Sequence, residues 1–165
     1  MTWPGAWPSF ELAESRRSLV ALRKATTAEG IDDTHRAYLA KLLAVRAAGH
    51  IEFTLDTCIS QYAQAKAHER ISDYVRAHLF LGRGVTPRKI VEKIRWFDAG
   101  IATDLEKLLK TDDEYLNREL KFLVDKRNKI AHGQSDGVGA AKADALADVS
   151  LKLGDWLVAQ INPTV

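Results

Sequence analysis

The sequence predicts an all-α protein, on three observations. Only four prolines occur, at positions 4, 8, 87 and 163, so almost all of the interior is free of the residue that breaks helices most strongly. The alternation of β-branched and polar residues that marks half-buried strands is absent. Apolar residues instead recur at steps of three and four, most cleanly at Ile90, Ile94, Phe97, Ile101, Leu105 and Leu108. The expected architecture is a single compact bundle of about five to six helices with short connections, in an up-and-down arrangement. A chain of 165 residues is long enough to bury a core without help from metal or disulfide.

Residues 1–8 read as an N-terminal extension and 9–162 as the single helical domain. Ser9 is placed to cap a first helix that runs towards Glu29, with Leu12, Leu19 and Leu22 inward and Gly30 ending it. Asp32 and Asp33 start a long second helix from near Thr34 through Tyr62, where Ile51, Leu55, Cys58 and Tyr62 recur at helical spacing. Gly49 is expected to interrupt that helix near its middle. A third helix, from around Glu69 to Leu81, stops at LGRGVTP, because Gly82, Gly84 and Pro87 are breakers. The stripe from Ile90 to Leu108 reads as one face of one helix, which Gly100 bends without ending. Asp112 or Asp113 caps the next helix, and Gly133 closes it as the glycine after the C-cap. GQSDGVG is a turn-rich loop. A last helix from about Ala140 to Ile161 buries Leu146, Val149, Leu153 and Trp156 before NPTV frays.

Charge is nearly balanced, 24 Lys plus Arg against 22 Asp plus Glu, which excludes a polycation that coats nucleic acid indiscriminately. The distribution is uneven. Lys66 to Arg95 holds eight basic against three acidic residues, and Asp98 to Glu119 seven acidic against three basic. Such blocks are ordinarily solvated helix faces; the alternative is a basic stretch that follows phosphates. Cys58 is the only cysteine, so neither an intrachain disulfide nor a multi-thiol zinc site can form. The opening MTWPGAWPSFELAESRR lacks the basic region and unbroken apolar run of a secretion signal, and no stretch of roughly 18 apolar residues occurs. A cytoplasmic protein without a membrane partner is expected.

One segment, DKRNKIAHGQ at 125–134, carries the chemistry. Leu116, Leu120, Leu123, Arg127 and Ile130 fall on one helical face, so Arg127 occupies an apolar stripe. A guanidinium buried there without a partner costs several kcal/mol. It therefore needs a carboxylate, such as Glu52 or Asp56 from another helix, a subunit partner, or a cleft that an anion completes. His132 lies about 140° around the axis from Arg127, and Asn128 is four residues before it on its own face. The carbonyl end of the helix favours a cation at His132, and a histidine suits acid/base work. The plainer role for a histidine there is to cap the last carbonyls. Trp96, adjacent to the inward Phe97, faces outward and suits an interface or a stacked base.

The string RNKIAHG resembles the signature of HEPN domains: arginine, a polar residue, three further positions and histidine near the end of a helix in a small all-α bundle. Arg127, Asn128 and His132 match it position by position. GHIEFTL at 49–55 and TPRKIVEKIRWFD at 86–98 resemble two further helices of HEPN subgroups related to the RiboL-PSP and MAE_28990 types, so the likeness spans about residues 10 to 160. The resemblance implies a homodimer with a composite cleft and metal-independent endoribonuclease activity that needs no cofactor, often in a toxin of a toxin-antitoxin pair or a phage-defence effector. It implies His132 as acid/base, Arg127 on the phosphoryl oxygens, Asn128 orienting either, and Glu52 and His50 as supporting residues. Products would be a 2′,3′-cyclic phosphate and a 5′-hydroxyl. The alternative is a noncatalytic HEPN-like dimer that binds an antitoxin, a nucleotidyltransferase-type partner or nucleotides. His-x-Glu also opens the zinc deaminase signature, but its Pro-Cys-x-x-Cys partner cannot exist in a chain with one cysteine. GRGVTPRK lacks the spacing of a phosphate-cradling loop and reads as a turn between helices.

Overall fold

The computed structural model describes residues 3–79, 84–134 and 137–165. Within them the chain forms six α-helices: α1 (Phe10–Thr27), α2 (Asp33–Lys66), α3 (Glu69–His78), α4 (Pro87–Phe97), α5 (Ala99–Ala131) and α6 (Ala140–Gln160). No strand occurs among the described residues. No helix is long and apolar enough to cross a membrane.

α2 is the central element, and one side of it, with Ala40, Leu43, Ala44, Ala47, Ile51, Leu55 and Cys58, is enclosed. Small side chains at Ala40, Ala44 and Ala47 let α6 approach closely, and the Ser150 hydroxyl donates to the Ala47 carbonyl at 2.7 Å across that contact. α1 covers the same side. Arg23 on α1 forks onto Asp144 at 2.6 and 2.9 Å and reaches Asp148 at 3.1 Å, which pins α1 along α6. α3 and α5 pack on α2, α4 packs on α5, and one continuous core runs from Leu12 to Ile161.

Asp32 caps α2 through its carboxylate, which accepts from the backbone N–H of Thr34 and His35. Ser9 stands at the cap position of α1 but makes no capping bond; its hydroxyl is buried without a partner. α2 does not break at Gly49. The glycine is exposed, with nothing within 4 Å of where a Cβ would sit, while buried neighbours on both sides hold the helix through it. Gly49→Ala is therefore expected to raise stability by about 1 kcal/mol, from helix propensity alone, read as a higher urea midpoint at unchanged slope.

The stripe from Ile90 to Leu108 is two helices, not one bent at Gly100. Asp98 leaves helical geometry (φ −152°, ψ 117°); its backbone N–H donates to the Ile94 carbonyl at the end of α4, and its carboxylate caps α5 by accepting from the N–H of Ile101 at 2.9 Å. The apolar pattern runs on across the break because both halves pack on one core. α3 ends at His78, earlier than Leu81, and residues 81–83 of the LGRGVTP turn lie outside the described residues. The NPTV end is not frayed: Pro163 is buried and Lys66 donates to the Val165 carbonyl at 2.9 Å. The N-terminal extension is likewise docked, since the Trp7 indole donates to the Val158 carbonyl at 2.9 Å.

α5 is two helical halves joined at a kink. Thr111 is extended, and Asp112, Asp113 and Glu114 have φ of 50°, 52° and 59°. The left-handed region disfavours L-residues by roughly 1–2 kcal/mol each, least for aspartate. Distance explains what this turn achieves. In a straight helix Arg127 would lie about 42 Å from Asp98, whereas α4 is only about 16 Å long. Yet Arg127 and the start of α4 line one cleft. The chain must therefore fold back near 111–114, where a helix start was expected at Asp112 or Asp113.

Candidate active site

The returning part of α5 buries Leu120, Leu123 and Val124, and the next residue of that stripe is Arg127, half-buried. Beyond it a cleft of about 220 Å³ opens. Its walls come from three places. α5 supplies Val124, Arg127 and Asn128; α2 supplies Ala48 and Glu52; and the start of α4 supplies Thr86 and Lys89, with Gly84 and Val85 leading into it.

Arg127 is not sealed by a carboxylate. Among the described residues its hydrogen bond goes to Asn128 Oδ1, at 3.1 Å from Nη1. Of the two carboxylates that could have neutralised it, Asp56 pairs with Lys93 and Glu52 accepts from the Gly84 N–H at 3.2 Å. The N-terminus of α4 also faces the cleft, with the Thr86 hydroxyl accepting from Lys89 N–H and Pro87 in the first turn. With no N–H at Pro87 and that of Lys89 taken by the cap, what the helix start adds is mainly the positive end of its dipole. Guanidinium, amide, ammonium and helix dipole gather in this pocket beside the Glu52 carboxylate, and they are the groups a phosphate would meet.

His132 lies just outside this pocket. It is the C-cap residue of α5 and is exposed. Gly133 adopts φ +70°, its N–H donates to the Ile130 carbonyl at 3.1 Å, and the Gln134 N–H donates to the Lys129 carbonyl at 2.9 Å. This backbone double bond is the Schellman cap expected of a glycine after the C-cap. The helix end is thus satisfied by main chain, and the imidazole has no capping duty. In a single chain Arg127, Asn128 and Glu52 meet in one cleft, while His132 stands at its side.

His50 is in a different place. Two residues from Glu52 along α2 is a rotation of about 200°. The His50 ring is buried against α1 and α6, with Nδ1 2.8 Å from Ser15 Oγ and Nε2 without a partner. Burial lowers its pKa from 6.5 to about 4, and the charges of Arg16 and Arg46 act in the same direction, against that of Asp155. The ring therefore does not reach the Arg127 cleft. A depressed folded pKa means that the unfolded chain binds the proton more readily. The contribution is complete above pH 6.5 and is lost as pH falls towards 4. At pH 5 this amounts to about 2 kcal/mol. Urea unfolding at pH 7.5 and pH 5 is expected to show that loss, and His50→Gln to remove it.

Cys58 is fully enclosed and its thiol is pushed up to about 12 by burial, so it is a core residue without nucleophilic character. Among the described residues no group of three His, Cys, Asp or Glu is placed to hold a metal ion. Thr86 and Lys89 are wall residues that motif reading did not assign to the site. Their signal in sequence was the Thr-Pro pair, a cap followed by a first-turn proline.

An all-helical bundle that ends its motif helix with arginine, asparagine and histidine, beside an anion-suited cleft, has the form of an HEPN domain. The profile of the RiboL-PSP-HEPN family matches residues 11–162, nearly the whole chain, and the protein belongs to that family. Comparisons with curated proteins and with solved structures return no match.

Proposed function

We propose that the protein is a metal-independent endoribonuclease of HEPN type, acting as a toxin or phage-defence effector in the cytoplasm. The observation that carries this reading is Arg127: half-buried, lining a cleft, and without an ion-pairing carboxylate among the described residues. Its planar fork would hold two oxygens of an RNA phosphate, and Asn128 would orient it. His132 would exchange the proton. The ribose 2′-oxygen attacks phosphorus as its hydroxyl proton leaves, the bond from phosphorus to the 5′-oxygen breaks, and that oxygen is protonated. The products are a 2′,3′-cyclic phosphate and a 5′-hydroxyl.

The position of His132 beside the cleft bears on assembly. A second copy that brings its own α5 end against the first would place two cleft arginines and two histidines around one strand. The proposed active form is accordingly a homodimer, which an antitoxin could neutralise by covering that surface. The same observation favours one competing reading, a noncatalytic dimeric module that binds RNA, nucleotides or an antitoxin without cutting.

Cleavage separates the two. Purified protein, freed of copurifying partners, is incubated with structured RNAs in chelator beside His132→Ala at equal folded concentration, and product ends are identified. Cyclic phosphate ends from the native chain alone are expected. No cleavage by any native preparation leaves the binding module. Cleavage that survives in His132→Ala removes the histidine from the chemistry. In a bacterial host the native chain is expected to arrest growth, and His132→Ala or Arg127→Ala to relieve it.

A further inference from the structure

We infer that the long groove beside the Arg127 cleft binds a nucleobase of the same RNA strand, next to the phosphate held by the arginine. This rests on the reading of that cleft as a phosphate site. The groove encloses about 650 Å³ between α2, α3 and α4, within the range of roughly 300–1,000 Å³ typical of ligand pockets. Glu52, Gly84, Val85 and Lys89 line both spaces, so groove and cleft share a wall. A strand whose phosphate lies at Arg127 has this groove as its adjoining space.

The lining matches an aromatic base. Leu55, Ile59 and Ile90 supply apolar surface at the bottom, each at most 6 % exposed. At the edge stand Trp96 and Tyr74, 73 % and 63 % exposed. Tyr74 is already layered on His78, ring centroids 4.0 Å apart and planes tilted by 31°. Two large aromatic faces left in water beside an apolar trough are a platform for a flat π-system, since stacking requires a face and no particular sequence. Charge is not what the groove offers: Lys93 is paired with Asp56, Arg95 with Glu106, and Glu52, Asp56 and Glu92 line the groove beside Lys89 and Lys93. The strand's phosphate is therefore met at Arg127, and the groove supplies ring surface.

Binding is measured on the full chain carrying His132→Ala, so that RNA is not consumed. The probes are 5′-fluorescein hexaribonucleotides of random sequence and a hexamer of abasic ribose phosphates, read by anisotropy. Trp96→Ala is expected to weaken the base-bearing probe by about tenfold or more, and Trp96→Phe to keep most of the affinity. Neither should change the abasic probe, whereas Arg127→Ala should weaken both. The inference is overturned if Trp96→Ala leaves the base-bearing probe unaffected or weakens both probes equally. It is also overturned if that substitution splits a dimer in sedimentation while RNA affinity stays constant, because the groove is then a subunit contact. These outcomes do not depend on cleavage. A native chain that cuts no RNA but shows the tryptophan contrast loses the nuclease and keeps the groove; one that cuts RNA and lacks the contrast does the reverse.

Discussion

Arg127→Ala is expected to lower RNA cleavage by about 100- to 1,000-fold, the range seen when one preorganised group that meets developing charge is removed. It should do so without loss of stability. A half-buried guanidinium with only an amide for a partner among the described residues adds little to the fold, so its removal should leave the unfolding midpoint unchanged or slightly higher. That opposite movement of activity and stability separates a functional arginine from one that locks the bundle. Arg127→Lys keeps the charge but not the planar fork, and is expected to recover only a small part of the rate. A matching loss of stability in Arg127→Ala, with a midpoint shift of the size expected for a broken buried ion pair, would show that the side chain serves the fold.

Gly154→Ala is expected to destabilise by about 1–3 kcal/mol, as overpacking does in a rigid contact. In an exposed helix the same change would stabilise by about 1 kcal/mol, as expected at Gly49. The difference lies in what a Cβ would meet. At Gly154 it would sit 2.7 Å from His50 Nε2 and 3.3 Å from Cδ2. The imidazole cannot retreat easily, because its other side is held by Ser15 at 2.8 Å. Coupling is the sharper measurement. His50→Ala alone leaves a cavity, and adding Gly154→Ala should recover part of the loss, with an interaction energy of about 1 kcal/mol or more in a double-mutant cycle. Additive single effects would mean that the two helices simply move apart.

What the sequence made legible follows from how local each signal is. The Leu116–Leu120–Leu123 stripe, the arginine that continues it and the Gly133 cap are all set within one or two helical turns, and each is where spacing put it. The break at Asp98 was hidden because α4 and α5 bury their apolar residues in the same core, so the periodicity passes through the corner unbroken. Gly49 misled in the opposite way: a locally weak residue is carried by strong neighbours. His50 and Glu52 were grouped by a family likeness, although two residues on a helix point to nearly opposite sides. The α4 contribution to the cleft depends on the chain reversal at 111–114, a tertiary event that no window of sequence displays.

α4 also acts as a spacer. Lys89 stands where groove and cleft adjoin and Trp96 at the groove's edge, seven residues apart on one rigid rod. At 1.5 Å per residue the separation along the axis is about 10 Å, close to three stacked nucleotides at about 3.4 Å each. The gap between the proposed phosphate site and the outermost ring is therefore fixed by a count of residues and not by a loop. One residue inserted within that rod would swing the indole by about 100°, out of line with the strand, while leaving every cleft residue in place.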